Sequence, residues 1–576
     1  MMIGLAKMSK RWEIKDKTSQ VATDCALGLS INPIIATILA ARGICSPEEV
    51  RQFLSPAFSS MHDPYLLLGM HNAVARLLAA RKKKETVCIY GDYDVDGITG
   101  TVLLVSFLRV VGYNCIYFVP NRFDDGYGLN NEAIDRIIAM GANLIVSVDC
   151  GITAVAEADY CHKQGADLII VDHHAPHDKI PLASAVINPL QLGCKYPFKA
   201  LAGVGVAFNL LVALRSALRE QGVFNQSGVP DLREWLDLVA LGTIADVVPL
   251  TCQNRMYVYH GLKQLNNCSK PGIIALKKVA GTTGTVNCGQ VGFRLAPRLN
   301  AAGRMESAVP GVDLLLSIDP DECGLIAREL DVANAERQVI ERSIFDEAVE
   351  MIEKSGDYPA CRSIVLASGS WHQGVIGIVA SRLVERYHRP TILIALGQED
   401  GLAKGSGRSI PGLHLLETLV PCCDHLERFG GHRYAAGIGL KVENVQLFCK
   451  AFEAEAKRVL NDDDLVPRLA IDAEVRPEEI TRELALELKQ LEPFGAGNPE
   501  PVLLMRGMTV VDQRIVGGDH LRLRLSKGGI TFSAIAFRMA GRSTEGPLDI
   551  AFFPELNDWN GNSSLQLRIK DLRSAE

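Results

Sequence analysis

The sequence predicts an α/β protein. A parallel-sheet lobe and a second α/β unit are joined by a long helix and followed by a small C-terminal β-barrel. Three observations predict it. Between about residues 85 and 250, short apolar runs alternate with helical patterns. One unbroken polar–apolar helical pattern covers Asp319 to about Lys354. Beyond the acidic run Asp462-Asp463-Asp464 the chain turns to short segments of period-two alternation punctuated by glycine pairs. The expected boundaries are 1–75 for a helical and irregular N-terminal segment, 76–315 for the first lobe, 316–355 for the connector, 356–461 for the second unit and 462–576 for the barrel.

Taken in order, Ser46-Pro47-Glu48-Glu49 opens a short helix: serine caps, proline suits the first turn, and the acids suit the positive helix end. The basic run Arg81-Lys82-Lys83-Lys84 reads as a solvated helix end. Val87-Cys88-Ile89-Tyr90 reads as a buried parallel strand ended by Gly91. Leu144–Val148 and Leu168–Val171 read the same way, with a helix from Ala154 to Gly165 between them. Ser363–Leu366 and Thr391–Ile394 are the strands of the second unit. Val502–Met505, His520–Leu525 and Leu565–Ile569 are the barrel candidates, with Gly517-Gly518 and Gly528-Gly529 at turns.

With 576 residues, the chain is long enough for about three or four domains. A net charge of −7 excludes a wholly basic nucleic-acid coat, so any polyanion site must be a local groove. No apolar run is long enough to cross a bilayer, and the N-terminus lacks a signal-peptide core. The 15 cysteines are scattered without a C-x-x-C pair, which argues against a zinc ribbon. Adjacent Cys422 and Cys423 read as packing residues, and the chain is expected to be cytoplasmic with free thiols. No P-loop is present.

The chemistry gathers at strand ends. Gly91-Asp92-Tyr93-Asp94-Val95-Asp96-Gly97 places three carboxylates at alternate positions just before a helix. Such crowding raises the pKa of each unless a cation neutralises them, and hard divalent ions prefer oxygen ligands. The alternative for this turn alone is a solvated acidic loop. Val148-Asp149-Cys150-Gly151 and Val171-Asp172-His173-His174 add an Asp, then an Asp and two His, at two further strand tips. Asp246 follows in Gly242-Thr243-Ile244-Ala245-Asp246-Val247-Val248-Pro249. In a parallel sheet these tips share one edge. Carboxylates converging there with imidazole suit two Mn²⁺ or Mg²⁺ ions, which activate water and stabilise both oxygens of an in-line phosphoryl displacement.

These four motifs resemble the DHH phosphoesterase superfamily and, within it, the bacterial RecJ family of single-stranded-DNA-specific exonucleases. The resemblance runs in order from about residue 50 to 570. It implies a DHH lobe, a DHHA1 lobe and an OB-fold barrel. It also implies that Asp94 serves one ion, that Asp96, His173 and Asp246 serve the other, and that Asp149 bridges them. Asp92 then supports the cluster, and His174 stands near the scissile phosphate. Many superfamily members carry a metal-binding His where this chain has Tyr90, so the two ions are expected to differ in affinity.

Arg122 and Tyr127 lie in Pro120–Gly128, where a phosphate contact and base stacking compete with a packed surface turn. Arg298 and Arg304 lie in Arg294–Arg304, where they either line an entrance or make structural ion pairs. Ser406, Arg408 and His432, by the resemblance, grip phosphates near the cut. Arg514, Arg522 and Arg524 belong either to a DNA track on the barrel or to a solvated strand face. The activity implied is 5′-to-3′ removal of 5′-mononucleotides from single-stranded DNA in recombination and repair, with a single-strand-binding protein and a helicase supplying substrate. The rival readings are a phosphodiesterase for short oligonucleotides or cyclic dinucleotides, and a catalytically dead binding module.

Overall fold

A computed structural model describes residues 10–15, 28–121, 128–224, 228–305, 307–397, 401–559 and 562–575. The chain divides into two units. One holds residues 51–335 together with 491–500, and the other holds 1–50, 336–490 and 501–576.

In the first unit, β1 (Thr86–Gly91), β2 (Asn114–Phe118), β3 (Leu144–Val148), β4 (Asp167–Val171) and β5 (Ala185–Ile187) pair in parallel in the order β2-β1-β3-β4-β5. Val87, Ile89, Val146, Val148 and Ile169 pack on one side against α1 (Met70–Lys83), α2 (Val95–Val110) and α3 (Gly203–Glu220). Cys88, Tyr90, Ile145 and Ile170 pack on the other side, against the helices Asn131–Ala139 and Val155–Lys163. Burial on both faces is why these strands read as continuous apolar runs. The strand order reverses between β1 and β3, and in such sheets the crevice at that point takes the ligand. Two further helices, α4 (Leu236–Ala245) and α5 (Cys252–Asn266), complete the surroundings of the site. The π-helical turn Val291–Leu295 leads into α6 (Ala296–Met305). The predicted connector is α7 (Pro320–Ser355), a single helix of 36 residues.

In the second unit, β6 (Ile364–Ser368), β7 (Thr391–Leu396), β8 (Leu402–Arg408), β9 (Arg428–Gly431) and β10 (Ala435–Lys441) form a sheet in the order β9-β10-β8-β7-β6. Only β6 and β7 are parallel. Phe448 and Phe452 of α9 (Val445–Val459) cover one face, and Val379 and Leu383 of α8 (Ile376–Tyr387) cover the other. The sequence shows no strand pattern over 402–441. Four glycines in β8 and β10 mask the alternation there, although Ala403, Ile438 and Leu440 are buried.

The barrel is closed by five strands: β11 (Leu503–Val516), β12 (His520–Lys527), β13 (Ile530–Ala536), β14 (Leu548–Trp559) and β15 (Asn562–Ser574). They pair around the ring in the order β11-β12-β13-β15-β14 and back to β11. Gly528 (φ +60°) and Gly529 (φ +82°) form the two-residue turn between paired Lys527 and Ile530, as the glycine pair predicts.

Four local outcomes differ from expectation or refine it. Arg11–Ile14, within the segment expected to be helical and irregular, is a strand paired in parallel with Arg468–Ile471. The acidic run begins a short 3₁₀ turn, Asp462–Leu465, capped by Asn461, in which Asp463 pairs with Arg11 at 3.0 Å and Asp462 with Arg362 at 2.6 Å. Ser46 does cap the helix Pro47–Leu54, accepting from the Glu49 N–H at 3.2 Å, while Glu49 accepts from the Ser46 N–H at 2.9 Å. Cys422 is buried and Cys423 is exposed, so only the first packs as expected; all the described cysteines are free thiols. No described helix is long and apolar enough to cross a membrane.

Candidate metal centre and nucleic-acid interface

Each strand end is stitched to its neighbour. The Asp92 N–H donates to the Val148 carbonyl (3.3 Å), Asp149 N–H to Val171 (2.9 Å) and Asp172 N–H to Ile187 (3.0 Å). The register of the sheet therefore sets the positions of these carboxylates. Asp94 caps α2, accepting from the Asp96 and Gly97 N–H groups at 2.8 and 3.1 Å. Asp96 points back toward α3, whose first N–H groups, Gly203 and Val204, hold its two oxygens at 2.6 and 2.9 Å. A Cβ on Gly203 would lie 2.8 Å from Asp149 Oδ1, so this helix start comes that close only as glycine. Asn300 of α6 accepts from the Val95 N–H at 3.1 Å and braces the aspartate turn from outside.

His173 is the hub. Its Nε2 lies 3.1 Å from Asp149 Oδ1, 3.6 Å from Asp246 Oδ2 and 3.9 Å from Asp96 Oδ2. Asp96, His173 and Asp246 offer one set of ligand atoms within 4.8 Å of one another, Asp92, Asp94 and Asp149 a second, and Asp149, His173 and His174 a third. Asp149 Oδ1 and His173 Nε2, 3.1 Å apart, link the sets. Its backbone is left-handed at φ +65°, a strained setting for a non-glycine residue of the kind found at functional sites.

The electrostatics are unbalanced without a cation. Burial, then the Asp94 charge, pushes the Asp96 carboxyl up to about 7. Burial and the neighbouring aspartates raise Asp149 and Asp246 well above the usual carboxylate range. Burial, then the proximity of His174, lowers His173 to about 4, so its imidazole is neutral and able to ligate. Asp149 Oδ1, His173 Nε2 and Asp246 Oδ2 are buried and have no hydrogen-bond partner. Oxygen and imidazole atoms that face one another without a donor fit a divalent cation of the hard class. Such an ion supplies Lewis acidity and a lowered pKa for a coordinated water.

Asp172 has a different task, which the sequence reading left unassigned. Its Oδ1 accepts from the His173 N–H (2.7 Å), the His174 N–H (3.0 Å) and His174 Nδ1 (2.8 Å), and its Oδ2 accepts from the Ile152 N–H (2.9 Å). Burial opposes its charge, but the His174 hydrogen bond and charge hold it at about 2. Burial likewise opposes charge on His174, yet the Asp172 bond and charge raise its pKa above the ordinary imidazole value. Asp172 thus fixes the His174 imidazole through its Nδ1. Tyr90, in place of a ligating His, donates its hydroxyl to the Gly128 carbonyl at 2.8 Å.

Arg298 is paired with Asp331 at 2.8 Å and donates to the Arg294 carbonyl at 2.6 Å. Arg304 is half-buried in the last turn of α6. Arg122 and Tyr127 lie outside the described residues. In the second unit, Arg408 donates to the Ser406 hydroxyl at 3.1 Å. A Cβ on Gly377 in the first turn of α8 would lie 2.8 Å from Ser406 Oγ and 3.1 Å from Arg408 Nη2. His432 is exposed in the β9–β10 turn, at the same sheet end as Arg408, where the Ser409 N–H donates to Tyr434 (3.0 Å). On the barrel, exposed Arg514 stands directly across from exposed Arg522, and Asp512 from Arg524. Facing like charges destabilise a sheet, which suits a surface that meets an anion.

This parallel-sheet lobe with an acid–imidazole rim is that of a DHH phosphoesterase, and comparison with known families agrees. The DHH family N-terminal domain matches residues 86–243, the DHHA1 domain 361–458, and the RecJ OB domain 471–571. The single-stranded-DNA-specific exonuclease RecJ of Bacillus subtilis is 40% identical over 98% of the chain and 71% of that protein. The Escherichia coli protein of the same name is 39% identical over 97% of the chain and 99% of its own length. The chain belongs to the RecJ family. The crystal structure of Thermus thermophilus RecJ with Mn²⁺ superposes with a TM-score of 0.85 at 32% identity, covering 98% of this chain and 80% of that one. The Mg²⁺ complex from the same organism gives 0.79 at 31% identity, covering 98% and 79%.

Proposed function

We infer that this protein is a metal-dependent exonuclease that degrades single-stranded DNA from the 5′ end and releases 5′-mononucleotides. The observation that carries the chemistry is the set of buried, partnerless atoms, Asp149 Oδ1, His173 Nε2 and Asp246 Oδ2, at one sheet edge. Mn²⁺ or Mg²⁺ is the cation, as in the solved relatives. Asp94 with Asp92 would hold one ion, Asp96, His173 and Asp246 the other, and Asp149 both. When bound, the pair supplies an activated water and charge neutralisation at the scissile phosphate.

The chain's own groups do the rest. The α3 N–H groups keep the Asp96 oxygens aimed into the cluster. His174, oriented by Asp172, presents a proton at Nε2 to the phosphate or to the departing 3′-oxygen. That oxygen leaves with the released nucleotide, and the shortened strand keeps a 5′-phosphate. Ser406, Arg408 and His432 supply phosphate contacts, and the arginine pair on β11 and β12 supplies an electrostatic track for a long strand. A phosphodiesterase for dinucleotides has no need of that barrel. A single-strand-binding protein and a helicase would present the substrate in the cytoplasm. The test is a time course on strands labelled at either end, single and duplex, with Mg²⁺ or Mn²⁺. Mononucleotides from the 5′ label of single strands alone support the reading. Cleavage confined to dinucleotides, or none in either metal, overturns it.

A further inference from the structure

Asp246 caps the C-terminal end of α4, and the chain beyond it follows a path that its own residues resist. Val247 (φ +60°) and Cys252 (φ +44°) both adopt left-handed backbone, one of them a β-branched residue. Such conformations persist only where the surroundings enforce them. Between these two residues lie Pro249 and Leu250.

The element packed on this loop is the segment 491–500, which belongs to this unit although the residues on either side of it belong to the other. Its sequence, Leu491-Glu492-Pro493-Phe494-Gly495-Ala496-Gly497-Asn498-Pro499-Glu500, reads as the start of the barrel, but its contacts lie here. The Ala496 carbonyl accepts from the Leu250 N–H at 2.7 Å. A Cβ on Gly495 would stand 2.7 Å from Leu250 Cδ1, and one on Gly497 2.9 Å from Pro249 Cβ, so the two glycines let the segment lie flush on the loop. The segment is shaped from within by Asn498, whose Nδ2 donates to the Leu491 carbonyl at 2.9 Å and the Pro493 carbonyl at 2.8 Å. It is gripped from without by Arg255 of α5, which is 2% exposed. That guanidinium donates to the carbonyls of Leu491 (3.0 Å), Glu492 (2.8 Å) and Phe53 (2.9 Å). Asn254, beside it, donates to the carbonyls of Pro249 (3.1 Å) and Ala200 (2.6 Å).

We propose that the 491–500 strap, clamped by Arg255, is a positioning element for the metal centre: it holds the strained 247–252 loop so that Asp246 faces His173 and Asp96. The inference rests on reading the site as a two-cation centre. Asp149, Asp94 and His173 are set by the sheet, whereas Asp246 comes from a helix end followed by this loop. Loosening the strap lets Val247 relax and turns the Asp246 carboxylate away. The consequence falls on one of two cation affinities, with the fold and the DNA contacts unchanged.

The experiment is a Mn²⁺ titration of the full chain by calorimetry, with free Mn²⁺ followed by electron paramagnetic resonance. Thermal unfolding and single-strand cleavage are measured in parallel. The variants are Gly497→Ala, Arg255→Lys and, as a control for general loosening, Leu276→Ala in the core of the same lobe. The wild type binds two Mn²⁺. Each strap variant keeps one wild-type site and weakens the other by about tenfold or more. Raised Mn²⁺ restores cleavage with an unchanged KM for DNA. Adding Val247→Gly, which accepts the left-handed backbone freely, recovers part of the lost affinity. Wild-type isotherms in both strap variants, or an equal loss of affinity in Leu276→Ala, overturn the proposal. Should Gly497→Ala not fold, Arg255→Lys decides alone. A wild type that binds no pair of ions overturns the two-cation reading itself.

Discussion

The acid cluster of the parallel-sheet lobe and the arginine pair of the barrel handle charge in opposite ways. Asp96 and Asp149 are 1% and 2% exposed and crowd one another, and both Asp96 oxygens accept from backbone N–H groups at 2.6 and 2.9 Å. Arg514 and Arg522 face each other across two strands in open solvent. Buried charges of one sign need a counter-ion of defined geometry, and removing one member undoes the set. Exposed charges act by number through a screened field, and each contributes a graded share. On the function proposed above, losses in the lobe should be abrupt and losses in the barrel graded.

The largest effect tests the first half of that contrast. Asp149→Ala should lower cleavage by at least about 10³-fold, because the residue acts as one unit with its neighbours. Mn²⁺ binding should weaken while thermal unfolding and single-strand binding in EDTA are retained. Turnover near the wild-type rate would remove Asp149 from the centre. Next is His174→Ala, which should cost about 10²-fold in kcat with Mn²⁺ stoichiometry unchanged, as expected for a proton donor rather than a ligand. Asp172→Asn sharpens this. Asp172 raises the His174 pKa, so its loss should move the alkaline fall of activity to lower pH. An unshifted profile would dissociate the pair.

Much of the lobe was legible in the sequence because its strands are buried on both faces and its ligands follow them within a few residues. Asp92, Asp94, Asp149, His173 and His174 all sit at the ends of apolar runs, and the parallel sheet brings those ends together. What stayed hidden depends on partners distant in the chain. Asp172 has no task legible in the sequence, and only its bonds to the His174 N–H and Nδ1 show that it orients that imidazole. Arg298 leaves an entrance role and an ion pair equally open in the sequence, and its partner Asp331 is 33 residues away on α7. Glycines in β8 and β10 carry no side-chain alternation from which a strand is read. The strap 491–500 sits next to the barrel in sequence and against α5 in space.

The raised carboxyls also set a pH dependence peculiar to the lobe. A buried acid whose folded pKa exceeds its unfolded value binds a proton more readily when folded, so metal-free stability falls as pH rises from about 4 toward 7. A cation must displace that proton, so Mn²⁺ affinity should fall about tenfold per pH unit below 7 for each proton displaced. The rise in Tm on adding Mn²⁺ should accordingly be larger at pH 8 than at pH 5.5. An increment equal at both values would mean that these acids are already ionised. Arg408→Ala should act as the phosphate grip does, raising KM about tenfold with little change in kcat. An unchanged KM would detach the β8 end from the substrate.

The smallest effect belongs to the barrel, and it separates a DNA track from a solvated strand face. If Arg522 neutralises one phosphate, Arg522→Gln should reduce the slope of log affinity against log salt by about 0.7 and weaken binding a few-fold near physiological salt. The single-turnover rate at saturating DNA should not change, because the residues proposed to hold the cations belong to the other unit. Arg514→Gln should behave alike. The two together should add rather than cooperate, since screened charges contribute independently once each meets its own phosphate. Removing either charge also relieves the Arg514–Arg522 repulsion, so each variant should be slightly more stable than the wild type in the absence of DNA. A variant that binds less tightly and yet unfolds at a higher temperature is the signature of a charge retained for a polyanion. An unaltered salt slope would leave these arginines as ordinary surface.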